Sequence, residues 1–123
     1  MYELIIIGAG PAGMTAAVYA ARKKMQTLLI TEDFGGQLMW TMSIENYMGY
    51  QYITGPELME KFKNQMEQYG VEQRAGRVLR VEKQAAAFLL HMEDGGFYEG
   101  KTIIIATGKR PRMLNIPGEE RLK

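Results

Sequence analysis

Cysteine is absent from this chain of 123 residues, and histidine and tryptophan occur once each. Without cysteine these residues hold no disulfide framework, no thiolate metal site and no thiol redox chemistry. The lone histidine, His91, has no partner acid evident along the sequence and reads as a half-buried strand residue, not a catalytic base. Nothing resembles a metal-ligand cluster or a Ser-His-Asp set. An excess of one charge is also missing. The 15 basic and 14 acidic side chains nearly cancel, so neither a nucleic-acid surface nor an acidic substrate is indicated, and Lys109-Arg110-Pro111-Arg112 is read as a solvated loop. No apolar run approaches the roughly 20 residues that span a bilayer. Leu4–Ile7 has no basic segment before it and a glycine loop after it, so it reads as a strand and not a signal peptide; a cytoplasmic location is expected.

What is present suits one α/β domain. Hydrophobic residues make up 46% and charged residues 24% of the chain, and the ten methionines read as flexible core filler. Leu4-Ile5-Ile6-Ile7 and Leu28-Leu29-Ile30 are continuous apolar runs, as in strands buried on both faces of a parallel sheet. Between them, Ala12 to about Lys24 is rich in helix formers. Gly13, Ala17 and Ala21 form a ridge of small residues, and Arg22, Lys23 and Lys24 suit the last turn. A long loop follows the second strand, too long for a compact domain without a purpose, and is expected to line a site. Thr54 with Glu57 forms a capping box that opens a second helix, with Leu58, Phe62, Met66 and Tyr69 on one face and Gly70 as its C′ residue. Val71–Ala75 reads as a short third strand. Arg77–Val81, Ala87–Met92 and Phe97–Glu99 form a small antiparallel meander, and Lys101–Ala106 is another fully buried strand. The divisions expected are 1–75, the meander 76–100, a buried strand 101–108 and an exit linker 109–123.

The chemistry lies in Gly8-Ala9-Gly10-Pro11-Ala12-Gly13. A Gly-x-Gly-x-x-Gly pattern is weak alone, but here it follows a strand and opens a helix within a unit of about thirty residues. Gly8 allows a tight turn. Gly10 leaves no side chain where phosphates approach the backbone, and Gly13 lets helix and strand pack closely. The helix N-terminus then faces a pyrophosphate. Glu32, 19 residues after Gly13 with Asp33 beside it, is placed to bind a ribose hydroxyl; a solvated loop carboxylate is its other reading. An acid there repels a 2′-phosphate, and no arginine follows closely in sequence.

Four segments together resemble the thioredoxin reductase family of flavoproteins: Ile7-Gly8-Ala9-Gly10-Pro11-Ala12-Gly13, Phe34-Gly35-Gly36-Gln37, Ile44-Glu45-Asn46-Tyr47, and the pair Ile105-Ala106-Thr107-Gly108 with Ile116-Pro117-Gly118-Glu119. The third and the ending look especially like the flavoprotein component of alkyl hydroperoxide reductase. The resemblance implies a Rossmann-like FAD-binding domain of three layers, β-β-α, with a parallel sheet and a small antiparallel meander, incomplete at its C-terminus. By the same resemblance Gly8, Gly10, Pro11, Ala12 and Gly13 wrap the FAD pyrophosphate. Thr31, Glu32, Gly35, Gly36 and Gln37 run along the adenosine ribose towards the flavin. Gln37, Thr41 and Asn46 approach the isoalloxazine or ribityl chain, Val78 meets the adenine edge through its backbone, and Ala106, Thr107 and Gly108 pass under the phosphates.

Reductases of that family interrupt the FAD domain with an NADPH domain carrying a Cys-x-x-Cys pair, then return to complete the FAD site. No second glycine fingerprint, cysteine pair or returning segment occurs here, so the chain is expected to be the first part of a discontinuous FAD domain, inactive by itself. NAD(P)H is expected to bind only a second domain of a parent protein. The activity implied is hydride transfer from NAD(P)H to FAD and on to a disulfide. The alternatives are a cysteine-free relative that reduces ferredoxin, and a non-catalytic flavin- or NAD-binding module. A homo-oligomer is expected, with self-association through an uncovered sheet edge or weak FAD binding; a monodisperse monomer carrying stoichiometric flavin would overturn that expectation. Neither a nucleic-acid nor a membrane partner is indicated.

Overall fold

Alternate residues of the first apolar run feed two separate cores. The computed structural model describes residues 1–34, 44 and 46–108, and within them Leu4–Ile7 lies in strand β1 (Tyr2–Ala9). Successive side chains of a strand point to opposite faces, so Leu4 and Ile6 join one apolar cluster while Ile5 and Ile7 join another. Strand β2 (Thr27–Phe34) divides in the same way, with Leu29 on the first face and Leu28 and Ile30 on the second. Ile5, Ile6, Leu28, Leu29 and Ile30 are completely buried, and each contributes on the order of 1.5–3 kcal/mol of transfer free energy.

The first face is covered by two helices, α1 (Pro11–Arg22) and α2 (Gly55–Gln68). Helix α1 buries Gly13, Met14, Ala17 and Ala20. The inward ridge therefore turns through Ala20 and not the expected Ala21. Of the three expected basic residues only Arg22 lies in its last turn; Lys23 is the C-cap and Lys24 is left-handed at φ 59°. Helix α2 begins as expected, because the Thr54 hydroxyl accepts the Glu57 N–H at 3.2 Å. The Glu57 carboxylate in turn accepts from that hydroxyl at 2.9 Å, where the usual box has it reach the backbone. Leu58, Met59 and Met66 are buried and Phe62 partly so, whereas Tyr69, expected on the same face, is exposed beside Gly70 at φ +67°. The long loop is tied at its base, where Ile44 and Ile53 exchange both backbone hydrogen bonds and bury their side chains beneath the helices.

The second face is covered by the meander. The remaining strands are β3 (Glu72–Ala75), β4 (Val78–Lys83), β5 (Phe88–Met92) and β6 (Phe97–Ile105). The order is β3-β2-β1-β6-β5-β4. Strands β3, β2, β1 and β6 run parallel, and β6, β5 and β4 antiparallel. Strand β6 thus belongs to both layers. Residues 97–100 pair with β5 and residues 100–105 with β1, so the meander strand and the following parallel strand, expected as two, are one. Gly100 is the shared residue. A Cβ there would come within 2.8 Å of the Ile5 side chain, so a bare backbone is what lets the layers close. Val78, Val81, Phe88, Leu90, Met92 and Tyr98 then pack on Ile5, Ile7, Leu28 and Ile30. The result is the three-layer α/β architecture.

The end of β6 departs from expectation. Ile103 is partly buried, but Ile104 is 39% and Ile105 67% exposed. Helix α1 lies over β1 and β2, and past Gly100 the strand pairs on only one side among the described residues. His91 also differs from its sequence reading. It is part-buried on β5 as expected, yet a partner acid lies across on β4: its Nε2 is 3.2 Å from Glu82 and 3.1 Å from Arg80. The groups were invisible as partners because only the strand register brings them together.

Candidate functional site

The carboxyl ends of β1, β2 and β6 open into a cleft of about 400 Å³, closed on one side by the turn between β3 and β4. Its position follows from topology. From β1 the chain moves through α1 to β2 and then β3 on one side, while β6 lies on the other. That reversal parts the loops and leaves a crevice.

The floor is the turn from β1 into α1. Gly8 has φ +111°, and a Cβ on it would lie 2.1 Å from the Ala106 carbonyl oxygen. A Cβ on Gly13 would lie 1.9 Å from the carbonyl oxygen of Gly8. The three backbones are stacked: α1 rests on the β1 turn, and the turn rests on the segment leaving β6, pinned where the Ala106 N–H donates to Ile7 at 2.8 Å. No residue but glycine fits either position without moving backbone.

Above this floor, α1 begins without a cap. Gly10 is the N-cap in an extended conformation, no side chain caps the amides of the first turn, and the first turn holds no acidic residue. Pro11 follows, and the first i→i−4 bond runs from Met14 to Gly10 at 3.0 Å. The amides of Ala12 and Gly13 therefore have no helical carbonyl to bond and sit at the positive end of the helix dipole. The arrangement suits an anion of phosphate type, and none of Gly8, Gly10, Pro11, Ala12 and Gly13 carries an ionisable or nucleophilic side chain. No group of three or more potential metal ligands occurs among the described residues.

Residues 2–123 match the family described as pyridine nucleotide-disulphide oxidoreductase. The chain belongs to that family. Relatives of this oxidoreductase domain include an alkyl hydroperoxide reductase component of Staphylococcus aureus, 40% identical over 98% of this chain and 24% of the relative. A NADH dehydrogenase of Bacillus subtilis is 38% identical over 99% of this chain and 24% of its own. Among solved structures, thioredoxin reductase of Lactococcus lactis superposes with a TM-score of 0.91 at 48% identity, covering 98% of this chain and 40% of the other. That of Streptococcus pyogenes gives 0.89 at 47%, covering 98% and 39%. The fold is that of a thioredoxin reductase-like FAD domain. The chain spans about a quarter of the length of the curated relatives and two fifths of the solved chains.

Most of the sequence-selected residues of this oxidoreductase domain meet at the cleft. Gly8, Gly10, Pro11, Ala12, Thr31, Glu32, Val78, Ala106, Thr107 and Gly108 all line it. Gly13 does not; it supports the floor from within α1. Asn46 lies apart, exposed before the turn at Tyr47–Tyr50. Gly35, Gly36, Gln37 and Thr41 lie outside the described residues, as does 109–123.

Asp33, Gly76 and Arg77 line the cleft and were not selected. Asp33 is fixed to Thr31, whose hydroxyl donates to the Asp33 carbonyl and accepts its N–H at 3.2 Å. Gly76 donates its N–H to the Thr31 carbonyl at 2.9 Å, which ties the β3–β4 turn to the end of β2. Arg77 then stands with Nε 4.0 Å from Glu32 and Nη1 3.5 Å from Glu93. An arginine is thus beside Glu32 in space though 45 residues away in sequence. The clue was its place directly after Gly76, between two predicted strands whose junction must fall at the carboxyl end of the parallel sheet.

Proposed function

We propose that the cleft binds FAD as the flavin site of a reductase that carries electrons from NAD(P)H to a disulfide. The observation that carries this is the uncapped N-terminus of α1, opening at the switch point of the parallel sheet onto a floor that only glycine can form. The residues present fit the ligand. The amides of the first turn of α1 take the pyrophosphate. Glu32, at the end of β2, accepts ribose hydroxyls, and Val78 at the far wall takes the adenine edge through its backbone. Ala106–Gly108 hold the Gly8 turn from below. When bound, FAD supplies the hydride-accepting chemistry; this chain's part is to bind, orient and neutralise. Gly35, Gly36, Gln37, Thr41 and Asn46 are assigned to the flavin half of the site by family likeness.

The same domain is shared by proteins named for thioredoxin, alkyl hydroperoxide and NADH. That supports a common flavin-holding role, with the electron acceptor set outside these residues. No described helix is long and apolar enough to cross a membrane; a cytoplasmic, self-associating reductase is the reading we favour.

Titration with FAD, followed by quenching of flavin fluorescence and by calorimetry, tests the assignment. Saturable uptake of FAD, competed by ADP, is expected. Tight NAD binding with no uptake of FAD or competition by ADP would sink it.

A further inference from the structure

We infer that Arg77 is a specificity-determining residue for the adenosine half of the ligand, acting as a positioning residue for Glu32. The inference rests on the FAD reading of the cleft.

Its backbone is held on both sides. The Gly76 N–H donates to Thr31, and the Arg77 carbonyl accepts the Glu93 N–H at 2.9 Å. The side chain is 62% exposed and lies over the cleft wall between two carboxylates, Glu32 at 4.0 Å and Glu93 at 3.5 Å. An exposed pair at such distances stabilises a fold little, so stability does not explain the placement. Ligand chemistry does. Glu32 and Asp33 put two carboxylates at the rim of a cleft proposed to take a doubly charged pyrophosphate. A ribose diol needs the Glu32 carboxylate as an acceptor held in a fixed place, a need that inorganic pyrophosphate does not share. A guanidinium beside it holds that carboxylate turned towards the diol. The fork of arginine meets Glu32 through Nε and Glu93 through Nη1 at once, which a single lysine ammonium does not reproduce.

The test uses this chain and two ligands, ADP and inorganic pyrophosphate, with affinities measured by calorimetry at fixed salt. Arg77→Ala is expected to weaken ADP by about tenfold, the scale of one charge-assisted contact, and pyrophosphate by less than about twofold. Arg77→Lys should recover only a minor part of the ADP loss. In a Glu32→Ala background the Arg77→Ala effect on ADP should vanish, which a general charge or structural role would not produce. An unchanged melting temperature for Arg77→Ala accompanies the expected result. Equal losses for both ligands, or a full loss persisting without Glu32, would overturn the role of Arg77 while leaving the FAD reading intact. Failure of the unaltered chain to bind either ADP or FAD would overturn both.

Discussion

The two helices of this domain begin in opposite ways. Helix α2 is closed: Thr54 bonds the Glu57 amide, and Glu57 puts a negative charge in the first turn. Helix α1 has a glycine at the N-cap, a proline after it, and neither a capping side chain nor an acid. An open N-terminus forgoes roughly 0.5–2 kcal/mol of capping free energy, and here it opens onto the cleft. One terminus serves the fold and the other is left for a ligand. The contrast teaches where to look for function: at the helix end that the sequence declines to satisfy.

The largest way to break the contrast is to fill the floor beneath α1. Gly13→Ala places a methyl 1.9 Å from where the Gly8 carbonyl oxygen now sits. The helix must lift from the turn, because both contacting groups are backbone. A loss of about 3 kcal/mol or more in urea unfolding is expected, at the upper end of overpacking costs, together with loss of ADP binding. Ordinary stability and ADP affinity in this variant would show that the stacking of Gly13 on Gly8 is not needed.

A sharper comparison gives α1 the cap that α2 has. Gly10 already adopts φ −79°, ψ −169°, which any N-cap residue accepts, so Gly10→Asp costs no backbone strain. Its carboxylate caps the open amides and adds a charge where the ligand needs none. Stability should rise by about 0.5 kcal/mol while ADP binding weakens by at least about tenfold. The opposite signs are the point. The converse variant, Thr54→Ala, should lose about 1 kcal/mol of stability with ADP affinity unchanged; a parallel fall in affinity would mean the two termini are not independent.

The sequence exposed the open terminus and its cleft unevenly. Gly8, Gly10 and Gly13 were readable because a tight strand–turn–helix needs glycine at fixed spacing, and Thr54 with Glu57 because capping is local. Arg77 was not readable, since its nearness to Glu32 depends on how the β3–β4 turn is pinned to β2 through the Gly76–Thr31 bond. The His91–Glu82 pair was missed for the same reason: antiparallel register is a tertiary fact. The run Ile103-Ile104-Ile105 looked like β1 and β2 by composition, yet burial depends on which neighbours lie over a strand. The helices lie over β1 and β2, and Ile105 stays exposed. The shared strand β6 was read as two pieces on either side of Gly100, whose bare backbone serves the approach of Ile5.

The smallest expected effect lies at the opposite end of the sheet from the cleft and serves as a control on the comparison. The Tyr2 phenol is held above its ordinary value of 10.0, chiefly by a hydrogen bond to Glu72, with burial and the Glu72 charge adding to it. The neutral phenol is the form the fold favours. Its contribution is therefore complete below about pH 10 and is lost as the pH rises through the folded-state value. Tyr2→Phe removes the bond and should lower stability at neutral pH by less than Thr54→Ala does, while flattening the alkaline limb of the unfolding profile. ADP affinity should not move, because β1 carries Tyr2 at one end and the Gly8 turn at the other. A change in affinity would show that the strand transmits strain along its length, and the division between a structural end and a binding end of this domain would then have to be redrawn.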